Sequence, residues 1–176
     1  AGNDHNELSA FIDFNNSLVG YWRFEDDGDS NASDFSKYNN NGSLVGFSCF
    51  SLNCDLTGGT GGVGSGWTSA GRRGKGLVVN TSTYVRVVNS PSISFTNLTP
   101  FTVEAWVRAF DDASRVNPVS DSSSEGGWSL LAHEGDFDWQ FRISWNAGTN
   151  IVTARSAKNL SRLKRWQHVA GVFDPA

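Results

Sequence analysis

Glu134, Asp136 and Asp138 alternate along Glu134-Gly135-Asp136-Phe137-Asp138, and spaced carboxylates are the material of general acid–base chemistry. The stretch reads as a glycine turn with no strand to fix the separation of the acids, so weak cation binding or plain solvation is the expected role. Asp26, Asp27, Asp29 and Asp34 form a second acidic group. An EF-hand loop counted from Asp27 would need Gly sixth and Glu twelfth, where Ala32 and Tyr38 stand. That motif fails, and an irregular cation site drawn from the same four aspartates is what stays open. His168, between Trp166 and Ala170, is expected to point inward as a hydrogen-bonded core histidine rather than to act as a base. His5 and His133 have no acidic or nucleophilic pattern around them, and no Gly-x-Ser-x-Gly elbow occurs. The glycines of residues 58–66 and Gly74-Lys75-Gly76 lack the order of a phosphate loop. Trp139 and Trp145 border turns and could stack sugar rings, with core packing as the competing reading for each.

The elements that must position these residues are strands. Apolar residues make up 38% and charged ones 18%, Gly is frequent at 19, Trp reaches 7 and Met is absent. No window holds a helical period, and short strands with glycine turns fit the mixture. Phe101-Thr102-Val103-Glu104-Ala105-Trp106-Val107-Arg108 alternates with period two, Phe101, Val103, Ala105 and Val107 facing one way. Trp106 on the other face needs cover of its own, or a ligand. Further strands are expected at Leu18–Phe24, Ser43–Gly46, Gly76–Val79, Tyr84–Val88, Trp128–Ala132, Trp139–Ser144, Ile151–Ala154 and Trp166–Phe173. The expected fold is an all-β antiparallel sandwich.

A net charge of −4 argues against nucleic acid, which needs a concentrated surplus of Lys and Arg. Arg72-Arg73 with Lys75, and Arg162 with Lys164-Arg165, read as solvated bends. No apolar run approaches the ~18 residues of a membrane span. Ala1-Gly2-Asn3-Asp4-His5-Asn6 carries no signal peptide, so in a secreted protein the signal would already be gone. Cys49 and Cys54 read as a disulfide closing a short loop in an oxidising compartment, against free thiols. Asn15, Asn31, Asn41, Asn80, Asn97 and Asn159 each head an N-glycosylation sequon, all at expected turns or strand edges. The competing reading is that none is modified.

Leu18-Val19-Gly20-Tyr21-Trp22-Arg23-Phe24-Glu25 and Asp34-Phe35-Ser36-Lys37-Tyr38-Asn39-Asn40-Asn41-Gly42 resemble the opening of a LamG-like, concanavalin A-like jelly roll. Gly74–Leu77, Tyr84–Val87 and Phe101–Val107 continue the resemblance in order. Trp166-Gln167-His168-Val169-Ala170 is similar to the family's late Trp-His-His-Val-Ala strand, with Gln167 in place of the first His. The resemblance implies a jelly roll over residues 13–176, and calcium in some members. It further implies an extracellular or cell-surface glycoprotein module that recognises glycans or other surface proteins without catalysis. Related glucanases carry a Glu-x-Asp-x-x-Glu pattern along one strand, which this sequence lacks, so a glycoside hydrolase is the least expected activity.

Such domains run on into a closing hairpin, and the sequence stops at Asp174-Pro175-Ala176. Residues 1–12 read as an extension, and Glu7–Phe14 alternates like a donor strand. The alternative expectation is therefore a structural subunit of a glycosylated surface filament, built by strand exchange through Glu7–Phe14, against a truncated module or residues 1–14 folding back in the same chain.

Overall fold

The computed structural model describes residues 17–26, 28–47, 66–95, 99–110, 116–123, 126–132, 138–146, 148–158 and 164–175. Every regular element among them is a strand, and the strands form an antiparallel β architecture. No helix among the described residues is long and apolar enough to cross a membrane. The chain forms two compact units, Ala1–Ser94 and Phe95–Ala176.

In the first unit, β1 (Asn31–Ala32), β2 (Gly42–Val45) and β5 (Tyr84–Val87) make a three-stranded sheet in the order β1-β2-β5. β3 (Gly66–Thr68) and β4 (Gly76–Val78) pair separately. The turn expected after Gly76–Val79 is present, closed by Thr83 N–H on the Asn80 carbonyl and Ser82 N–H on Asn80 Oδ1. It joins strands of two different sheets rather than a hairpin. Ala32, Leu44, Phe47 and Trp67 form the core, with Trp22, Phe24, Leu77 and Val85 packed against it.

Leu18–Phe24 is not the strand its pattern predicts: it makes one isolated bridge, Trp22 to Asp34. Phe24 has a φ of 55°, which turns the chain out of extended geometry. A carboxylate supplies part of the missing ladder, because Tyr21 N–H donates to Asp34 Oδ1 at 2.7 Å.

In the second unit, β6 (Phe101–Val107) pairs with β11 (Gln167–Phe173). β7 (Val116–Ser123), β8 (Gly126–Ala132), β9 (Trp139–Trp145) and β10 (Asn150–Arg155) form a four-stranded sheet in the order β10-β9-β8-β7. The inner faces meet around Leu130, Phe141 and Val169. Phe101 is the aromatic hub, stacked on Phe95 at 4.4 Å and edge-on to Phe141 at 5.9 Å between centroids. β6 keeps the predicted alternation: Phe101, Val103, Ala105 and Val107 pack inward while Thr102, Glu104 and Trp106 are exposed. β7 has no alternating apolar pattern and contains Pro118, which suits its place at the sheet edge.

Candidate functional site

The antiparallel register of β6 and β11 fixes what their outer face displays. His168 lies opposite Trp106, Ala170 opposite Glu104 and Val172 opposite Thr102. Trp106 is 46% exposed, and its ring centroid lies 5.2 Å from that of His168 with the planes tilted by 45°. His168 Nε2 reaches Glu104 Oε2 diagonally at 3.4 Å, with side chains 43% and 66% exposed. Ala170 keeps the ground beside the indole low. An aromatic plate flanked by a carboxylate and an imidazole is thus held on a rigid two-stranded face.

His168 therefore points outward, against the expectation of a core histidine. Val169 and Gly171 take the inward positions of β11, and Gly171 is invisible to a hydrophobic pattern because it has no side chain to count. Trp106 is a surface residue on the face opposite Phe101, Val103, Ala105 and Val107, as the alternation predicts.

The sugar-stacking pair suggested by sequence is not assembled. Trp139 packs against the core of its unit, and Trp145 is half-buried at the other end of β9. Six residues of strand put them about 20 Å apart, too far for one platform.

The acidic groups are engaged within the protein. Asp138 is buried, its Oδ2 is 2.9 Å from Arg155 Nε, and both its oxygens face Gln140 Nε2 at 3.3 Å. It is not the solvated turn carboxylate of the sequence reading; Glu134 and Asp136 lie outside the described residues. Asp34 is buried and its carboxylate accepts from Tyr21 N, Ser36 N, Ser36 Oγ and Asn40 N. Burial alone would raise its pKa, but the Ser36 hydroxyl and the backbone amides of Ser36, Tyr21 and Asn40 hold it below the usual carboxylate value. Asp29 Oδ1 accepts from Asn31 N and Nδ2, and Asp26 Oδ2 from Ser33 N. Asp27 lies outside the described residues. Among those residues no three His, Cys, Asp or Glu side chains gather as metal ligands.

The first unit carries an open cleft of about 460 Å³ lined by Tyr38, Asn40, Ser90, Pro91 and Ser92. The Asn40 amide is fully engaged there, donating to Val19 O and Ser92 Oγ and accepting from Ser90 Oγ. Asn31, Asn41 and Asn80 are exposed. Asn15, Asn97, Asn159, Cys49, Cys54 and Glu7–Phe14 lie outside the described residues.

A profile of the concanavalin A-like lectin/glucanases superfamily, in a laminin G form, matches residues 79–176. The chain belongs to that superfamily. No curated protein and no solved structure matches the chain. The matched stretch contains all of β6 to β11, so the face bearing Trp106, His168 and Glu104 lies wholly inside the superfamily region. The superfamily spans lectins and glucanases, and the two differ in what a sheet face must carry. A lectin needs an aromatic plate and polar groups; a glucanase needs two carboxylates at a fixed separation, about 5–9.5 Å. The outer face of β6 and β11 offers Glu104 as its one carboxylate among the described residues.

Proposed function

We propose that this chain is a non-enzymatic carbohydrate-recognition module of an extracellular or cell-surface glycoprotein, binding sugar on the outer face of β6 and β11. The observation that carries the reading is the exposed Trp106 packed beside His168, whose imidazole also meets Glu104. A pyranose ring has an apolar C–H face that stacks on an indole, and its hydroxyls are donors and acceptors. Glu104 accepts from such hydroxyls, and His168 can donate or accept according to its protonation. The strand pairing fixes the backbone positions that carry both groups on one face. Membership of the lectin/glucanase superfamily supports the class of ligand. A single carboxylate beside a histidine supports binding without glycosidic cleavage.

The test is a glycan array with the full chain, followed by titration calorimetry on the best neutral oligosaccharide for the wild type and Trp106→Ala. Loss of the indole should weaken binding about tenfold or more, equivalent to roughly 1.4 kcal/mol. An array without hits, or equal affinity of the variant, would overturn the reading.

A further inference from the structure

The four-stranded sheet has a second, chemically different face on the side away from the core, with Leu131 and Gln140 buried on it. Strand register sets Ser120 opposite Ser129, Ser129 opposite Arg142, and Arg142 opposite Thr153. Residues directly opposite share a face of the sheet, so one row running across all four strands reads Ser, Ser, Arg, Thr. Ser120 is exposed and the other three are half-buried.

A buried relay holds the guanidinium of this row. Arg155 pairs with Asp138, Gln140 Nε2 donates to Asp138, and Gln140 Oε1 accepts from Arg142 Nη2 at 3.2 Å. Asp138 and Gln140 are each only 2% exposed, so this support is rigid and shielded. Asp138 is neutralised by Arg155, and the bond that reaches Arg142 comes from a neutral amide. Arg142 Nε is buried without a partner, and no carboxylate pairs with Arg142 among the described residues. A half-buried positive charge thus stands at the end of an otherwise balanced network, between the hydroxyl residues Ser129 and Thr153.

We propose that the Ser120–Ser129–Arg142–Thr153 row binds a carboxylate-bearing sugar, a uronate. The planar guanidinium fork matches a carboxylate in shape and charge. Partial burial makes the pairing stronger than it would be in bulk water. The flanking serine and threonine hydroxyls meet the ring hydroxyls that a simple acid or an acidic peptide lacks. This site lies on the other sheet from Trp106 and does not rest on the neutral-sugar reading.

The decisive experiment titrates the full chain with a glucuronate-containing tetrasaccharide, its carboxyl-reduced counterpart, a sulfated neutral tetrasaccharide and a poly-glutamate peptide. The uronate should bind about tenfold or more tightly than its reduced form, as loss of a charge-assisted bidentate contact requires. Arg142→Gln should erase that preference, and Arg142→Lys should keep part of it. Equal binding of the acid and its reduced form overturns the proposal, as does preference for the sulfated sugar or the peptide, or absence of uronate binding. Circular dichroism monitors folding of each variant. Should Arg142→Gln fail to fold, Thr153→Val and the wild-type comparison of acid with reduced sugar decide the matter. Unaltered uronate affinity in Thr153→Val would then count against the hydroxyl row.

Discussion

Gly171 of β11 lies directly against the ring of Phe141 of β9, with no room between them for even a methyl group. This contact is where the two sheets of the second unit approach each other, and Phe141 belongs to the buried core cluster with Leu130 and Val169. Gly171→Ala drives a carbon into the aromatic ring, and Gly171→Val adds two more. Overpacking of this kind costs about 1–3 kcal/mol. Urea unfolding should show Ala destabilised and Val destabilised further. A wild-type midpoint for both would mean that the sheets can part at no cost.

Two tryptophans should respond differently to the same substitution. Trp67 is wholly buried and its Nε1 donates to the Asp29 carbonyl at 3.0 Å. Trp139 packs against the other core with a buried Nε1 that has no partner. Replacement by Phe removes a hydrogen bond in the first case and an unsatisfied donor in the second. Trp67→Phe is therefore expected to cost about 1 kcal/mol more than Trp139→Phe, the net worth of a typical hydrogen bond. Denaturant unfolding of both variants measures the difference; equal losses would show that ring volume alone matters.

The outer face of β6 and β11 should matter for binding and not for folding. Trp106, His168 and Glu104 are all substantially exposed, and an exposed ion pair contributes about 0–1 kcal/mol. His168→Ala and Trp106→Ala should melt within a few degrees of the wild type, while sugar affinity falls in both. A core histidine, as the sequence pattern suggested, would instead make His168→Ala strongly destabilising. Melting curves measured beside the titrations separate the two.

The fold was legible because period-two alternation reports directly on strands with one buried face. Phe101–Arg108 carries that signal without interruption, and the structure keeps the strand over Phe101–Val107 with both faces. The signal weakens where a small residue takes an inward position. On β11 the inward residues include Gly171, while outward positions hold Ala170 and Val172, so apolar parity pointed His168 the wrong way. It vanishes in β7, where serines and Pro118 stand on an edge strand.

The sites were less legible for a related reason. Trp139 and Trp145 drew notice as tryptophans beside turns, yet strand geometry separates them. Arg142 and Gln140 drew none, because the Ser–Ser–Arg–Thr row runs across strands and exists only once register is known. One clue was readable in advance: Trp106 stood on the polar face of the strongest strand and called for a ligand or a cover.

Asp34 gives the first unit an acid-sensitive joint. Its four accepted hydrogen bonds tie the Tyr21 segment, Ser36 and Asn40 to one carboxylate. Asn40 in turn accepts the Trp22 indole N–H at its carbonyl and engages Ser90 and Ser92 through its amide. The folded pKa lies below the ordinary value of 3.8 that the unfolded chain takes. At pH values above that ordinary value both states hold the ionised acid, and the full stabilisation is present. As the pH falls below it, the unfolded chain binds the proton first, and stability drains away until the pH has passed through the lowered folded value. Asp34→Asn cannot accept at both positions as the carboxylate does, and should cost on the order of 3 kcal/mol at neutral pH. The same variant should lose this share of the acid dependence. Urea midpoints from pH 6 down to about pH 2 should fall less steeply for Asp34→Asn than for the wild type, because the group whose titration is linked to folding has been removed. Parallel curves would place the acid sensitivity elsewhere.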